Sequence, residues 1–269
     1  MINTSQQDWE QAQAYFHTDR LKYLVHLKYM HLYGDSITCT YLEQGEKVAV
    51  LLRYPSKRVV WDASAYPTAE QVLLPASNDA EMAQALLDYM RDRGLLDRSQ
   101  VIKFSDADTE AVFQKSLPLQ FARSLTSYTS PPNARFEPDP QVIIEHQPND
   151  EHMAAFLSNG YSAEEIAADF AKGAVLFSLY DADQRLLSSC MTYQNFDDLW
   201  EVAGVHTGDS ARRKGYARRV VQTALSHVLE MRRIPRYHVE DVNRASHELA
   251  RGLGLKPCLH FRHYVYQPQ

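Results

Sequence analysis

One run, Leu199 to Leu229, constrains the fold more than any other part of the chain. "LWEVAGVHT" alternates as a strand does, and Ala217, Val220, Val221, Ala224, Leu225, Val228 and Leu229 then recur at helical spacing. A helix with so continuous an apolar stripe has to bury it, and the strand just before it supplies a sheet to bury it on. Between the two lie Arg212, Arg213 and Lys214, directly before Gly215. A helix start carries unpaired N–H groups and the positive end of the dipole, so it favours anions, and a glycine lets a ligand approach the backbone. Read alone, the same residues also describe a solvated basic helix face. Neither GxxxxGK[ST] nor GxGxxG after the first strand of a βαβ unit occurs.

The rest of the chain reads as two α/β halves. In residues 1–130 a helix is expected over Gln6 to Tyr33, stopped by Gly34. A hairpin turns at Gln44–Gly45, "RVVW" reads as a strand, and a helix over Ala80 to Arg93 is closed by Gly94. Strand "QVIKFS", a helix over Asp108 to Lys115 and strand "LQFARSLTSY" follow. Pro131, Pro132, Pro138 and Pro140 are too dense for a helix or central strand, so 131–140 reads as an extended linker. Residues 141–269 then give strand "QVIIEH", helices Asn149 to Asn159 and Ser162 to Ala171, and a hairpin turning at 181–184. Ser162 with Glu165 makes a capping box. The strand and helix already described follow, the helix running to about Arg233; then come "RYHVEDV", helix "NRASHELARGLG" and strand "LHFRHYVY". The halves share a rough order of elements, which an old duplication would explain and coincidence would also allow.

Composition narrows the function. The net charge is −6 over 269 residues, which argues against a nucleic-acid coat but leaves room for a local basic pocket. Cys39, Cys190 and Cys258 are odd in number, far apart and without a CxxC, so no disulfide framework or zinc site is expected and a cytoplasmic location fits. The start shows no leader pattern, and no apolar run is long enough to span a bilayer, so no membrane partner is expected. His260 and His263 form HxxH, but on a strand that spacing points them to opposite faces, so no metal is expected there. Cys190 has no histidine partner in the pattern, which argues against a thiol nucleophile.

"RRKGYA" resembles the signature R/Q-x-x-G-x-G/A of the GCN5-related N-acetyltransferase (GNAT) family, met here by Arg212, Gly215 and Ala217. "NRASHELARGLGL" resembles the family's next motif, with Asn243, Ser246, Leu253 and Gly254 at the matching places. The resemblance covers 141–269. It implies an α+β acyl-CoA N-acyltransferase fold, a mixed and mostly antiparallel central sheet flanked by helices, with 1–130 as a second, degenerate lobe. It also implies acetyl-CoA as acyl donor. The donor would be held by Val205, His206, Thr207, Arg212, Arg213, Lys214, Gly215, Tyr216, Ala217, Asn243 and Ser246, the loop amides taking the pyrophosphate. The first half has no such basic loop, so any copy there has lost CoA binding.

Acetyl transfer to an amine needs a base, because an ammonium has no lone pair, a polarised thioester carbonyl, and a proton or hydrogen bond for the departing thiolate. Glu201 is the expected base. It leads into the loop strand where, by the resemblance, family members that use a glutamate carry it, and Trp200 and Val202 would wall it in. Backbone N–H groups near Val205 to Thr207 would serve the carbonyl. Many family members place an acidic tyrosine seven residues after the motif asparagine, and here that position is Ala250. Tyr216, Tyr264, Tyr266, Ser246 and His247 are the substitutes in reach of a sequence reading. The expected activity is N-acetylation of a small-molecule or amino-acid amine, with Asp197, Asp198 and Glu201 at the acceptor end; a homodimer is left open. The alternatives are a non-catalytic acyl-CoA-binding module and a protein whose basic loop binds nothing.

Overall fold

A computed structural model of the chain describes residues 5–268, which divide into two compact units. Unit 1 runs to Leu125 and takes in the chain again from Leu259; unit 2 is Thr126–Cys258.

Unit 1 opens with two helices, α1 (Gln6–His17) and α2 (Leu24–Tyr33), where the sequence predicts one. The break is local. Asp19 accepts from the Lys22 N–H at 3.0 Å and Thr18 Oγ1 donates to the Tyr15 carbonyl at 2.7 Å, so side chains take groups that a continuous helix would pair. The hairpin β1 (Thr38–Gln44) and β2 (Lys47–Pro55) turns as expected. "RVVW" is no strand: it leads into α3 (Val60–Ala65), which sets Asp62 against Lys103 and the Tyr54 hydroxyl, both buried. A buried charge pair outweighs the local β propensity of two valines. β3 (Gln71–Ser77) is a strand that Pro75 hides from a sequence reading. α4 (Ala80–Asp92), β4 (Gln100–Phe104), α5 (Ala107–Ser116) and β5 (Gln120–Thr129) complete the first pass, and the last four residues of β5 already belong to unit 2.

In unit 2 follow β6 (Ile143–Glu145), α6 (Asp150–Ser158), α7 (Ala163–Ala171), β7 (Val175–Tyr180), β8 (Leu186–Phe196) and β9 (Leu199–Thr207). α8 (Tyr216–Glu230), β10 (Ile234–Glu240) and α9 (Arg244–Gly252) come next, then β11 (Lys256–Tyr266), most of which lies in unit 1. Strand order is β1-β2-β3-β4-β11 in unit 1 and β5-β10-β9-β8-β7-β6 in unit 2. β6 to β9 pair antiparallel and β10 pairs parallel to β9, so each unit is a mixed sheet flanked by helices. On one face of the unit 2 sheet Val202, Tyr237 and Val239 pack against Val220, Val221, Ala224 and Val228 of α8. On the other, Met191 and Ala203 pack against Phe156 and Ile166 of α6 and α7.

Two boundaries differ from those expected. The proline-dense segment falls within unit 2, and the units divide before it. Asp139 binds Arg219 of α8 at 2.6 Å, the Asp139 N–H donates to Thr223 Oγ1, and Gln222 donates to the Glu137 carbonyl. The segment is therefore strapped along α8. The chain from Leu259 clusters with unit 1 because Arg262 to Tyr266 pair antiparallel with β4. Among the described residues, no helix is long and apolar enough to cross a membrane.

Candidate active site

The site is built around β9. On one side its parallel pairing with β10 lasts three pairs, Ile234↔Leu199 to Arg236↔Glu201, although β9 continues to Thr207 and β10 to Glu240. Beyond Glu201 the two strands part. On the other side the register with β8 slips between Ser189↔His206 and Met191↔Ala203, so Gly204 and Val205 together oppose Cys190, which is a β-bulge. Gly204 sits at φ 61°, and a Cβ there would lie 2.5 Å from Phe156 Cε1, so backbone and packing both demand glycine. Its N–H bonds the Tyr161 hydroxyl, whose pKa burial pushes up, with Glu201 adding to the shift.

β9 ends where the basic loop begins. Gly215 is the N-cap of α8 at φ 82°, and no side chain caps the helix. The first-turn amides are thus left open, and a Cβ at Gly215 would meet nothing within 4 Å. Beside this helix start is a cavity of about 570 Å³. It is lined by Val205, His206, Thr207, Arg212, Arg213, Gly215, Tyr216, Ala217, Asn243 and Ser246 among others. Ten of the eleven residues expected to hold the donor come together there. Lys214 does not: it is exposed and off the cavity wall. The other basic residues of the run divide their work. Arg212 reaches the Thr207 carbonyl and Asp209, Arg218 holds the Gly252 carbonyl at 2.9 Å, and Arg219 pairs with Asp139. Asn243 caps α9 by accepting from the Ser246 N–H at 3.1 Å, so one of its roles is to build the wall.

Glu201 lies off this cavity, on the sheet face that α6 and α7 cover. It is not an end-of-strand carboxylate walled only by apolar neighbours. It is 3% exposed, and Oε2 accepts from Arg236 Nη1 at 2.7 Å and from Asn195 Nδ2 at 2.7 Å. Oε1 is buried without a partner. Tyr161 and Tyr193 stand close enough for the Glu201 charge to help raise both phenol pKa values, burial being the larger cause. Arg236 also donates from Nη2 to His238 Nδ1 at 3.0 Å, and Ser127 Oγ lies 2.8 Å from the same nitrogen.

Other sequence candidates are placed elsewhere. Tyr264 and Tyr266 belong to the unit 1 core, Tyr264 hydroxyl bound to Glu110 and Gln114, so neither joins the unit 2 site. His247 is buried against the Tyr128 hydroxyl at 2.8 Å. Ala250 is fully buried in the core under α9. Burial pushes the Cys190 thiol up, so it stays protonated and non-nucleophilic. The residues that sequence reasoning missed are Gly204, Arg236, Asn195, Tyr161 and His238. Only Gly204 carried a signal, a glycine inside a strand pattern.

Residues 141–255 match the family model of the acetyltransferase (GNAT) family. No curated protein matches the chain. Among solved structures it is similar to an acetyltransferase from the GNAT family from Colwellia psychrerythraea, with TM-score 0.62, 13% identity, and 98% of each chain covered. It is also similar to a GCN5-related N-acetyltransferase from Kribbella flavida, with TM-score 0.53, 18% identity, and 91% of this chain and 95% of that one covered. A tandem GNAT protein from the clavulanic acid biosynthesis pathway matches at TM-score 0.51 and 9% identity, over 93% of this chain and 88% of that one. At these identities the structures speak to fold alone. The family match covers the segment that carries the bulged strand, the open helix start and the capped α9: residues 141–255 are a domain of the acetyltransferase (GNAT) family.

Proposed function

We propose that unit 2 is an N-acetyltransferase, moving the acetyl group of acetyl-CoA to the primary amine of a small molecule or amino acid by direct attack in a ternary complex. The observation that carries this reading is an uncapped helix start on the cavity wall, beside a strand that has parted from its neighbour. The residues present fit acetyl-CoA. The open amides of Tyr216 and Ala217 with Arg212 and Arg213 suit a pyrophosphate, and the unpaired edge of β9 beyond Glu201 suits an amide-bearing arm. When bound, acetyl-CoA supplies an acyl group on a good leaving thiol.

Glu201 is the proposed base. Arg236 and Asn195 take one oxygen and fix the orientation of the group, and the bare Oε1 receives the proton of the attacking amine. The backbone N–H groups of the bulge are the proposed polarisers of the carbonyl. Ala250 in the core leaves a second reading, a non-catalytic acyl-CoA-binding module. Calorimetric titration of acetyl-CoA into the native protein and Gly215→Glu tests the donor site: the native protein binds and the variant does not, since its side chain fills the open space and adds negative charge at the helix start. Absence of native binding would sink both readings. Free-thiol release with a panel of amines then separates enzyme from module, and the enzyme reading expects Glu201→Gln to lose at least ~100-fold in rate.

A further inference from the structure

With alanine at 250, the departing thiolate has no assigned partner, although the sequence candidates Tyr216 and Ser246 line the cavity. Beyond the last β9–β10 pair, β10 presents Tyr237 and Val239 to the α8 face, where both lie in the core. The alternation of a strand therefore puts His238 on the opposite face with Arg236. His238 is half-buried, two residues past the point where the strands part.

The tautomer of His238 is fixed by its neighbours. A guanidinium can only donate, so the 3.0 Å contact from Arg236 Nη2 makes Nδ1 an acceptor, and the ring proton must sit on Nε2. The charged and polar groups around the ring are Arg236 on its own strand, Glu201 across on β9 through that arginine, and Ser127 on β5. Burial, with the Arg236 charge behind it, holds the imidazole pKa well below its ordinary value, so the ring is neutral through the working pH range. Among the described residues no protein group bonds Nε2. The result is a neutral, donor-only N–H on β10, two residues past the last pair with β9, in a network that ends on Glu201.

We infer that His238 is a catalytic residue whose Nε2–H hydrogen-bonds the sulfur of coenzyme A as the thiolate departs. The inference rests on the reading of unit 2 as an acetyl-CoA-dependent transferase. In the step, the amine nitrogen bonds to the carbonyl carbon, the carbon–sulfur bond breaks, and its electron pair stays on sulfur. The amine proton passes to Glu201 Oε1. His238 keeps its own proton, since a neutral imidazole is a far weaker acid than a thiol, and lends it only as a hydrogen bond. Arg236 thereby serves both ends, bonding Oε2 of Glu201 and fixing His238 as a donor.

The test needs no acceptor. Free coenzyme A is bound to the intact protein and its thiol titrated by the ultraviolet absorbance of the thiolate, with affinity measured separately by calorimetry. A hydrogen bond to the charged form lowers the thiol pKa in the native complex by about one to two units. His238→Asn keeps an acceptor for Arg236 but has no donor at the Nε2 position, so the bound thiol returns to its free value while affinity stays within a few-fold. His238→Gln restores a donor there and recovers a substantial part of the shift. A thiol pKa unaltered in the native complex, or equally low with His238→Asn, overturns the role of His238 and leaves the transferase reading standing. If coenzyme A does not bind the native protein, it is the transferase reading that falls.

Discussion

Two glycines of unit 2 sit in left-handed backbone for different reasons, and alanine separates them. An L residue at such a position costs roughly 1–2 kcal/mol. At Gly215, φ 82°, a Cβ meets nothing within 4 Å, so Gly215→Ala should lose only that amount. At Gly204, φ 61°, the Cβ would stand 2.5 Å from Phe156 Cε1 and 3.0 Å from Cδ1. Phe156 is fully buried among Ile166, Leu176 and Met191, so the ring has no space to retreat into. Overpacking of this kind adds roughly 1–3 kcal/mol, which brings Gly204→Ala to about 2–5 kcal/mol. The assay is urea unfolding of unit 2, resolved from unit 1 by the unfolding transition that acetyl-CoA shifts. The packing part is isolated by a double-mutant cycle with Phe156→Leu: shrinking the ring relieves the alanine, so the two changes are less than additive. Equal losses for the two alanine variants, or an additive cycle, would refute the account of Gly204. A further contrast lies in binding, because the methyl at 215 enters the cavity wall whereas that at 204 does not.

Unit 1 supplies two more tests. Lys103 is wholly buried with Asp62, and burial lowers the lysine pKa against the pull of its partner. Lys103→Met strands a buried carboxylate and should cost about 3–5 kcal/mol, most of it recovered by adding Asp62→Asn, as read by thermal unfolding of unit 1. His26 is fully buried with neither ring nitrogen hydrogen-bonded, and burial, with Lys22 and Lys103, pushes its pKa down to about 3. The unfolded histidine takes a proton below about pH 6.5 and the folded one does not until about pH 3, so its contribution to stability falls by about 1.4 kcal/mol for each pH unit lost across that window. His26→Phe should flatten the pH dependence by that slope, measured as the difference between variant and native protein in urea unfolding at each pH.

What the sequence disclosed and what it withheld have physical causes. The cavity wall at the start of α8 was legible because a helix start, a glycine and an asparagine cap are local features set by residues a few positions apart. Both N-caps at Asn149 and Ser162 form for the same reason. The surroundings of Glu201 were not legible, since Glu201 meets Arg236 only because β10 lies parallel to β9, the two being 35 positions apart in sequence. No spacing rule reports a pair like that. "RVVW" misled for a related reason: its local preference was overruled by a lysine on β4. The single helix expected over Gln6 to Tyr33 failed in the other direction. Its break was written locally, in Asp19 and Thr18, and the apolar face of Leu21 to Leu27 masked it.

The two units repeat an order of two helices, a hairpin, a strand, a helix, a strand and a helix, and they share one more feature. β3 and β4 keep parallel register for three pairs, Gln71↔Gln100 to Leu73↔Ile102, and then part as β9 and β10 do. What differs is the helix start that follows and the partner of the strand beyond it. The helix after β3 is α4, and Asp79 caps it by accepting from the Glu81 and Met82 N–H groups at 2.9 and 3.2 Å, while Lys47 binds both Asp79 and Glu81. Just past the last pair, Lys103 is taken by Asp62 of α3, an element with no counterpart between β8 and β9. A helix start whose amides hold their own aspartate cannot also hold a phosphate. The proposed acyl-CoA chemistry therefore belongs to the unit in which glycine replaces the cap.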